Sequence, residues 1–175
     1  MKNFKKDFIC TLKFSVNSKR GGFTLIELLV IVAIIGILAS VIFVALSDSQ
    51  KRGADAAVKA NLNTIRSMSE LFASNNGNLF LPSGGSTFSI ATCPAYNGAG
   101  TNMLSKEKTL ASAIVEAVKR GGNGSSCYNS SFVWAVAVGL KSSASTFWCV
   151  DSGGASRQVN SAPSGAINSS TFLCN

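Results

Sequence analysis

The chain has 175 residues, a net charge of +8, 46% hydrophobic residues and no histidine. This length is sufficient for one membrane-embedded helix and one small globular domain with a single core. With no histidine and with acidic residues scattered along the chain, the sequence shows no catalytic constellation and no cofactor-binding motif. We therefore expect a protein that is not an enzyme.

The first predicted element, residues 1–22, is a basic leader. It contains six Lys and Arg residues and one Asp, so it carries +5 of the net charge and leaves +3 for residues 23–175. Positive charge ahead of an apolar helix favours retention of that end in the cytoplasm. The leader lacks a sustained apolar core and ends in Gly21-Gly22, which is not the pattern of an ordinary secretory signal.

The second element is an apolar run from Phe23 to Leu46. Its only side chains that are not apolar are those of Thr24, Glu27 and Ser40. As a helix with 1.5 Å rise per residue the run spans about 36 Å, whereas a bilayer core is roughly 30 Å thick. The run is therefore predicted to cross a membrane once.

Glu27 is the anomaly in this run, because an acidic residue in hydrocarbon costs on the order of 3 kcal/mol. Near the helix start, its carboxylate could reach the lipid headgroups. If the chain is cut between Gly22 and Phe23, however, Glu27 lies one helical turn from a new α-amino group. A cation from a neighbouring subunit could then neutralise it.

The segment from Gly22 through Phe23-Thr24-Leu25-Ile26-Glu27-Leu28-Leu29, preceded by a basic leader and followed by an apolar helix, resembles the N-terminus of type IV pilins and their relatives, the pseudopilins. The resemblance implies that a prepilin peptidase cleaves between Gly22 and Phe23 and methylates the new N-terminus at Phe23. It also implies that Glu27 pairs with the amino terminus of an adjacent subunit in a filament. Burying a matched pair is tolerable where an unpaired charge is not, and the pair fixes axial register.

The resemblance implies a structural subunit of a type IV pilus-like helical homopolymer that serves adhesion, twitching motility or DNA uptake. Its implied partners are copies of itself, the prepilin peptidase, an inner-membrane platform and an assembly ATPase. The subunit would cross the inner (cytoplasmic) membrane once before assembly and lie on the cell surface afterwards. The alternative within the family is a pseudopilin of a type II secretion or competence system, which forms only a short periplasmic piston.

Beyond residue 46 the helix is predicted to continue to about residue 75. An apolar stripe with a spacing of three or four residues supports this, and charged residues such as Asp55 lie mostly off the stripe. Its members are Ala54, Val58, Leu62, Ile65, Met68 and Phe72. The turn sequence Asn75-Asn76-Gly77-Asn78 is expected to end the helix.

The membrane half of the helix departs from the family in lacking proline, since the three prolines are Pro82, Pro94 and Pro163. Many pilins have a proline there, at which the helix kinks or melts during assembly. The remaining helix breaker is Gly36. It is either a packing notch against a neighbouring helix or a site of local melting.

The rest of the chain predicts a connection, a short helix and a sheet. Residues 79–100 lack periodicity and are interpreted as a surface connection. Ser105 is expected to open a helix over residues 106–120, with Leu110, Ile114 and Val118 on one face and Gly121-Gly122 as its stop. In the family this region corresponds to the variable loop.

The alternation of side-chain size along the chain predicts a sheet. Large apolar residues alternate with smaller ones over residues 132–140, and two further strands are expected at residues 146–150 and 157–160. The large members are Phe132, Trp134, Val136, Val138 and Leu140. The predicted fold class is α+β, with a long N-terminal helix packed under a small antiparallel sheet, and residues 47–175 form a globular head. Trp134, Phe147 and Trp148 are interpreted as core or interface residues.

Of the five cysteines, Cys10 lies in the leader. The other four, Cys93, Cys127, Cys149 and Cys174, suggest two disulfides in an exported domain. Sequence allows three pairings. The resemblance favours a bond from Cys149 to Cys174, which would tie the C-terminal tail to a strand, and this leaves Cys93 with Cys127. With no His and no Cys-x-x-Cys, no metal site is expected.

An alternative from another class is a monomeric, membrane-anchored domain that binds a ligand such as DNA. Lys106, Lys108, Lys119 and Arg120 form a basic group that could contact phosphates. The competing interpretation is a solvated helix face.

Overall fold

The structure is a computed structural model that describes residues 22–175. The predicted leader up to Gly21, including Cys10, lies outside the described residues. The elements in chain order are a helix α1, a strand β1, two helices α2 and α3, four strands β2 to β5 and a 3₁₀ turn. Their bounds are α1 Leu25–Asn75, β1 Phe88–Ala91, α2 Met103–Lys106, α3 Lys108–Gly121, β2 Ser125–Asn129, β3 Trp134–Gly139, β4 Thr146–Asp151, β5 Ser156–Asn160 and the turn Pro163–Gly165.

The five strands form one antiparallel sheet in the order β1-β2-β3-β4-β5. A long helix followed by a small antiparallel sheet confirms the predicted α+β fold. The described chain divides into two units, one ending at Val41 and the other beginning at Ile42. All the strands lie in the second unit.

One face of the sheet packs against the helices. Trp134, Val136 and Val138 of β3 are fully buried on this face, in one core with apolar residues of α1 and α3. The predicted stripe on α1 supplies Val58, Leu62, Ile65 and Phe72 to this core, while Ala54 and Met68 are half-buried. The large residues of the alternating pattern on β3 therefore face the helices, as predicted.

The opposite face of the sheet has its own core. Ala135 and Ala137 of β3 and Phe147 of β4 are buried here against Ile167 of the C-terminal segment. Small alanine side chains allow this segment to lie close to the sheet. The sheet is thus covered on both faces, which explains why the smaller residues of β3 are also apolar.

The two disulfides join Cys93 to Cys127 and Cys149 to Cys174. The preferred pairing is the one present in the structure. The first bond lies in the core on the helix side, and the second lies in the core under the C-terminal segment. Each face of the sheet therefore has one covalent cross-link.

Helix ends follow the predicted turn chemistry in two places. After α1, the backbone reverses through positive φ at Gly77 (67°) and Asn78 (63°). After α3, Gly122 adopts φ 77° and its N–H donates to the carbonyl oxygen of Val118 at 2.9 Å. Both are positions where a left-handed residue closes a helix.

Three predictions about the head were wrong, and two of its features, the strand at residues 125–129 and the burial of Asp55, were not predicted. Residues 79–100 contain the short strand β1, and Ser125–Asn129 forms a fully buried strand although its sequence, Ser-Ser-Cys-Tyr-Asn, has no apolar alternation. Ser105 does not open the helix: Asn102 caps α2, and the chain breaks at Glu107 before α3. Phe132 is 75% exposed, because Ser130 N–H bonds to the carbonyl of Val133 in a tight turn that holds Phe132 at its tip.

The burial of Asp55 is the second feature that the sequence did not predict. Asp55 is charged and lies off the predicted apolar stripe, yet it is buried. Its Oδ1 accepts hydrogen bonds from the backbone N–H of Lys141 at 2.5 Å and of Ser142 at 3.3 Å, in the turn between β3 and β4. These bonds compensate the burial of the carboxylate. Asp55 therefore anchors α1 to the sheet.

Candidate assembly site

The predicted assembly residues meet at the start of α1. Leu25 is the first helical residue, so Thr24 occupies the N-cap position and Glu27 the third helical position. Oε2 of Glu27 accepts from the backbone N–H of Thr24 at 2.9 Å and from its hydroxyl at 2.8 Å. In return, the hydroxyl oxygen of Thr24 accepts from the N–H of Glu27 at 3.3 Å. This reciprocal arrangement is a capping box.

From the sequence, Thr24 is predicted only to be a polar residue in an apolar run. The signal that could have identified it is the spacing Thr-x-x-Glu ahead of an apolar helix. The box gives the Glu27 carboxylate two donors from its own chain. Both bonds end on Oε2, which leaves Oε1 to accept from another molecule.

The backbone of residues 22–24 precedes the helix. The peptide bond between Gly22 and Phe23 is therefore outside the helical hydrogen bonds that a peptidase would otherwise have to break. Gly22, Phe23 and Thr24 are exposed among the described residues. The predicted cleavage point therefore lies between two exposed residues.

The helix surface between Phe23 and Val41 is apolar and exposed. The exposed fractions of its large side chains range from 44% at Ile31 to 82% at Leu25. Phe23, Ile26, Val30 and Ile31 line a shallow groove around Glu27. By length and composition, α1 is the one helix among the described residues that could cross a membrane. A continuous apolar surface of this kind needs lipid or protein to cover it.

Gly36 lies within the helix, and a Cβ built on it meets nothing within 4 Å. The helix continues through it without a break. Neither of its two interpretations, a notch or a melting point, is tested by this arrangement, because both concern the assembled filament.

The basic group predicted as a DNA contact is not brought together. Lys106 ends α2 and Lys108 begins α3, whereas Lys119 and Arg120 lie in the last turn of α3. Eleven residues of helix place Lys108 and Lys119 about 16 Å apart. The Arg120 Nε also donates to Glu116 at 2.6 Å. The group is two separate pairs of exposed cations.

Residues that could hold a metal are not clustered in the described part of the chain: residues 22–175 contain no group of three or more His, Cys, Asp or Glu side chains suited to an ion. Cys93, Cys127, Cys149 and Cys174 are all engaged in disulfides.

Comparison with known proteins agrees with the geometry of the helix start. The family model of the prokaryotic N-terminal methylation motif matches residues 17–43. The chain carries a prokaryotic N-terminal methylation motif. It is also similar to a protein of Thermus thermophilus named type IV wide pilus major component PilA4, with 46% identity over 55 residues. The resemblance to the type IV pilin family is confirmed.

The similarity has a defined extent. It covers 31% of this chain and 42% of the Thermus thermophilus protein, so the chain spans about two fifths of the length of the relative it matches. No solved structure matches the chain. The family model reaches from residue 17 into the first half of α1, and the head is described by its own structure.

Proposed function

We propose that this protein is a structural subunit of a type IV pilus-like filament. The observation that carries the proposal is the capping box of Thr24 and Glu27. It starts the helix directly after the predicted cleavage point and holds a carboxylate at the head of an exposed apolar surface. The proposal divides the chain into a leader (residues 1–22), a membrane and filament-core segment (residues 23–46) and the head (residues 47–175).

The first step is processing. A prepilin peptidase removes residues 1–22 by cutting between Gly22 and Phe23, and the amino group of Phe23 is then methylated. A methylated amine still binds a proton and keeps its positive charge. The exposed, non-helical chain at residues 22–24 supports access of a peptidase to this bond.

The second step is assembly. The charged amino terminus of one subunit approaches Oε1 of Glu27 in its neighbour, while Thr24 continues to hold Oε2. The apolar surface from Phe23 to Leu46 passes from lipid into a bundle of equivalent helices. Lipid tails are about as apolar as these side chains, so this transfer provides little specificity. The ion pair then sets the register, because a mismatched subunit would bury an unpaired charge.

The head would form the outer surface of the filament. Before assembly, the subunit spans the inner membrane once. In this proposal the inner-membrane platform and an assembly ATPase supply the work of extracting it from the membrane. Adhesion, twitching motility and DNA uptake are the outputs considered for the finished filament. The description of the Thermus thermophilus relative as a pilus component supports a long surface filament over the short pseudopilus of a secretion system.

The experiment is to shear filaments from cells and determine the mass of the N-terminal peptide of this protein. The proposal expects a peptide that starts at N-methylated Phe23 in the sheared fraction. A peptide starting at Phe23 but confined to membranes would favour the pseudopilin alternative. A chain that retains residues 1–22 would contradict the proposal and leave a membrane anchor.

A further inference from the structure

Three elements meet at the end of the head from which Ile42–Leu46 emerges. The carboxylate of Asp55, a buried residue of α1, holds the β3–β4 turn at the backbone N–H of Lys141. On the other side of this turn, Asn123, just beyond α3, donates its amide to the carbonyl oxygen of Leu140 at 2.5 Å. The start of the head on α1, the end of α3 and the β3–β4 turn are therefore held side by side.

Each of these elements contributes exposed cations, which together we name the basic collar. The collar consists of Lys51 and Arg52 on α1, Lys119 and Arg120 at the end of α3, and Lys141 in the β3–β4 turn. Arg52 pairs with Asp48 at 3.2 Å and Arg120 with Glu116 at 2.6 Å, both through exposed contacts within one helical turn. The three lysines make no ion pair with the residues that the structure describes.

The net charge of the processed chain is concentrated at this end. Residues 23–175 contain ten Lys and Arg against seven Asp and Glu, a net charge of +3. The five collar cations share their end of the head with three carboxylates, those of Asp48, Asp55 and Glu116, which leaves two of the three net positive charges there. The Asp55 carboxylate is buried against backbone N–H groups, so it is not presented to solvent.

The collar also lies at a defined distance from the apolar run. Lys51 and Arg52 follow Leu46 by five and six residues, which is about 8 Å along a helix. The polar layer on each side of a bilayer core is roughly 5 to 8 Å thick. When Leu46 lies at the edge of the hydrocarbon, Lys51 and Arg52 therefore lie level with the lipid headgroups. Asp55, which holds the turn of Lys141, lies about 14 Å beyond Leu46 along the helix. The cations of α3 and of the turn therefore lie just outside the headgroup layer.

We propose that the basic collar binds anionic lipid headgroups while the subunit waits in the membrane. The proposal rests on the membrane insertion of Phe23–Leu46 in the proposed function. A cation close to an anionic lipid surface strengthens binding by about fivefold, and the collar is within the screening length of about 8 Å at physiological salt. Lys106, the last residue of α2, and Lys108, the first residue of α3, serve as exposed cations outside the collar.

The test is lysine footprinting on the full chain incorporated into nanodiscs. Acetylation of each lysine by a water-soluble ester is measured by mass spectrometry in two kinds of nanodisc. One contains phosphatidylcholine alone, and the other also contains about 40% phosphatidylglycerol, which gives a negative surface potential. We expect labelling of Lys51, Lys119 and Lys141 to fall by about threefold or more in the anionic nanodiscs, in line with attraction of each cation. Lys106 and Lys108 are expected to change little.

A matched pair of variants sharpens the result. The double substitution of Lys119→Gln and Lys141→Gln should weaken the protection of Lys51, while that of Lys106→Gln and Lys108→Gln should leave it intact. Equal labelling of the collar lysines in the two lipids, or equal protection of Lys106 and Lys108, would overturn the proposal. A chain that fails to enter nanodiscs at all would instead contradict the membrane insertion on which the proposal rests.

Discussion

The carboxylate of Asp55 accepts a hydrogen bond from the backbone N–H of Lys141 across 86 residues of sequence, at a distance of 2.5 Å. This is the polar link between α1 and the turn that joins β3 to β4. An apolar replacement removes the acceptor and leaves a backbone N–H without a partner at a partly buried site. Such a loss costs about 1 to 3 kcal/mol.

We therefore predict that Asp55→Ala lowers the free energy of unfolding of the head by about 2 kcal/mol. Asp55→Asn retains a carbonyl acceptor and should lose less. Because both tryptophans of the chain, Trp134 and Trp148, lie in the head, denaturant unfolding of the full chain in detergent can be followed by tryptophan fluorescence. Equal midpoints for Asp55→Ala and the unmodified chain would show that the link does not stabilise the head.

Glu27→Gln separates the charge of Glu27 from its capping role. Glutamine can still accept from Thr24, because a capping box tolerates Gln at this position. The helix start should therefore persist, whereas the proposed ion pair with a neighbouring amino terminus would be lost. We expect cleavage at Phe23 to continue and the amount of sheared filament to fall at least tenfold, which corresponds to about 1.4 kcal/mol of assembly free energy.

The readouts for Glu27→Gln are the amount of protein in the sheared fraction and the N-terminal mass of the membrane fraction. Filaments at the unmodified level would show that the negative charge is not required for assembly. Glu27→Asp is the matched control, because it keeps the negative charge but shortens the side chain by one methylene group.

Thr24→Val tests the other half of the capping box. Valine has nearly the same shape as threonine but no hydroxyl, so the N–H of Glu27 loses its acceptor and Oε2 loses one donor. The loss of an N-cap costs about 1 kcal/mol. Hydrogen exchange at the amide of Glu27 in nanodiscs should accelerate about fivefold, and Thr24→Ser should restore slow exchange.

Two glycines are predicted to respond in opposite ways to alanine. A Cβ on Gly121 would collide with the backbone carbonyl oxygen of Gly139, so Gly121→Ala must displace α3 from β3 and should destabilise the head. A Cβ on Gly53 meets nothing within 4 Å in the exposed part of α1. Gly53→Ala should therefore stabilise the helix by up to about 1 kcal/mol. Thermal unfolding of both variants, measured together, checks the pair.

The disulfides provide a fifth prediction. They close loops with sequence separations of 34 and 25 residues. For loops of this length, constraint of the unfolded chain stabilises the fold by about 3 to 4 kcal/mol for each bond.

Replacing Cys149 and Cys174 by serine should expose Ile167 and make the C-terminal segment sensitive to proteolysis. Replacing Cys93 and Cys127 should lower stability without that sensitivity. Limited proteolysis and thermal unfolding distinguish the two variants, and identical digestion patterns would contradict the assignment of one bond to each face.

The parts of this fold that sequence predicted are those with a repeating physical signal. The stripe on α1 has the helical period, and residues 134–140 have the period of a strand with a large face and a small face. Both signals can be read from the sequence because each element buries one full row of side chains. The glycines that end α1 and α3 were predictable for a different reason, since a left-handed residue is needed there.

The features that sequence missed depend on partners far away in the chain. The polar strand Ser125–Asn129 is buried because it lies between β1 and β3, and no local pattern records that position. Asp55 is buried because a turn 86 residues later supplies two donors. In the candidate assembly site, Gly22, Phe23 and Glu27 were predicted from the motif, whereas the capping by Thr24 is visible only in its hydrogen bonds.

The placement of the two disulfides has a mechanical consequence. Both bonds lie beyond α1 in the sequence, and neither attaches to it. A pulling force carried along the helices of a filament would pass to each head only through the backbone after Asn75 and through noncovalent packing against the sheet. The sheet and C-terminal segment would resist such tension as a cross-linked block, whereas the seam between α1 and the sheet, with Asp55 as its polar anchor, would yield first.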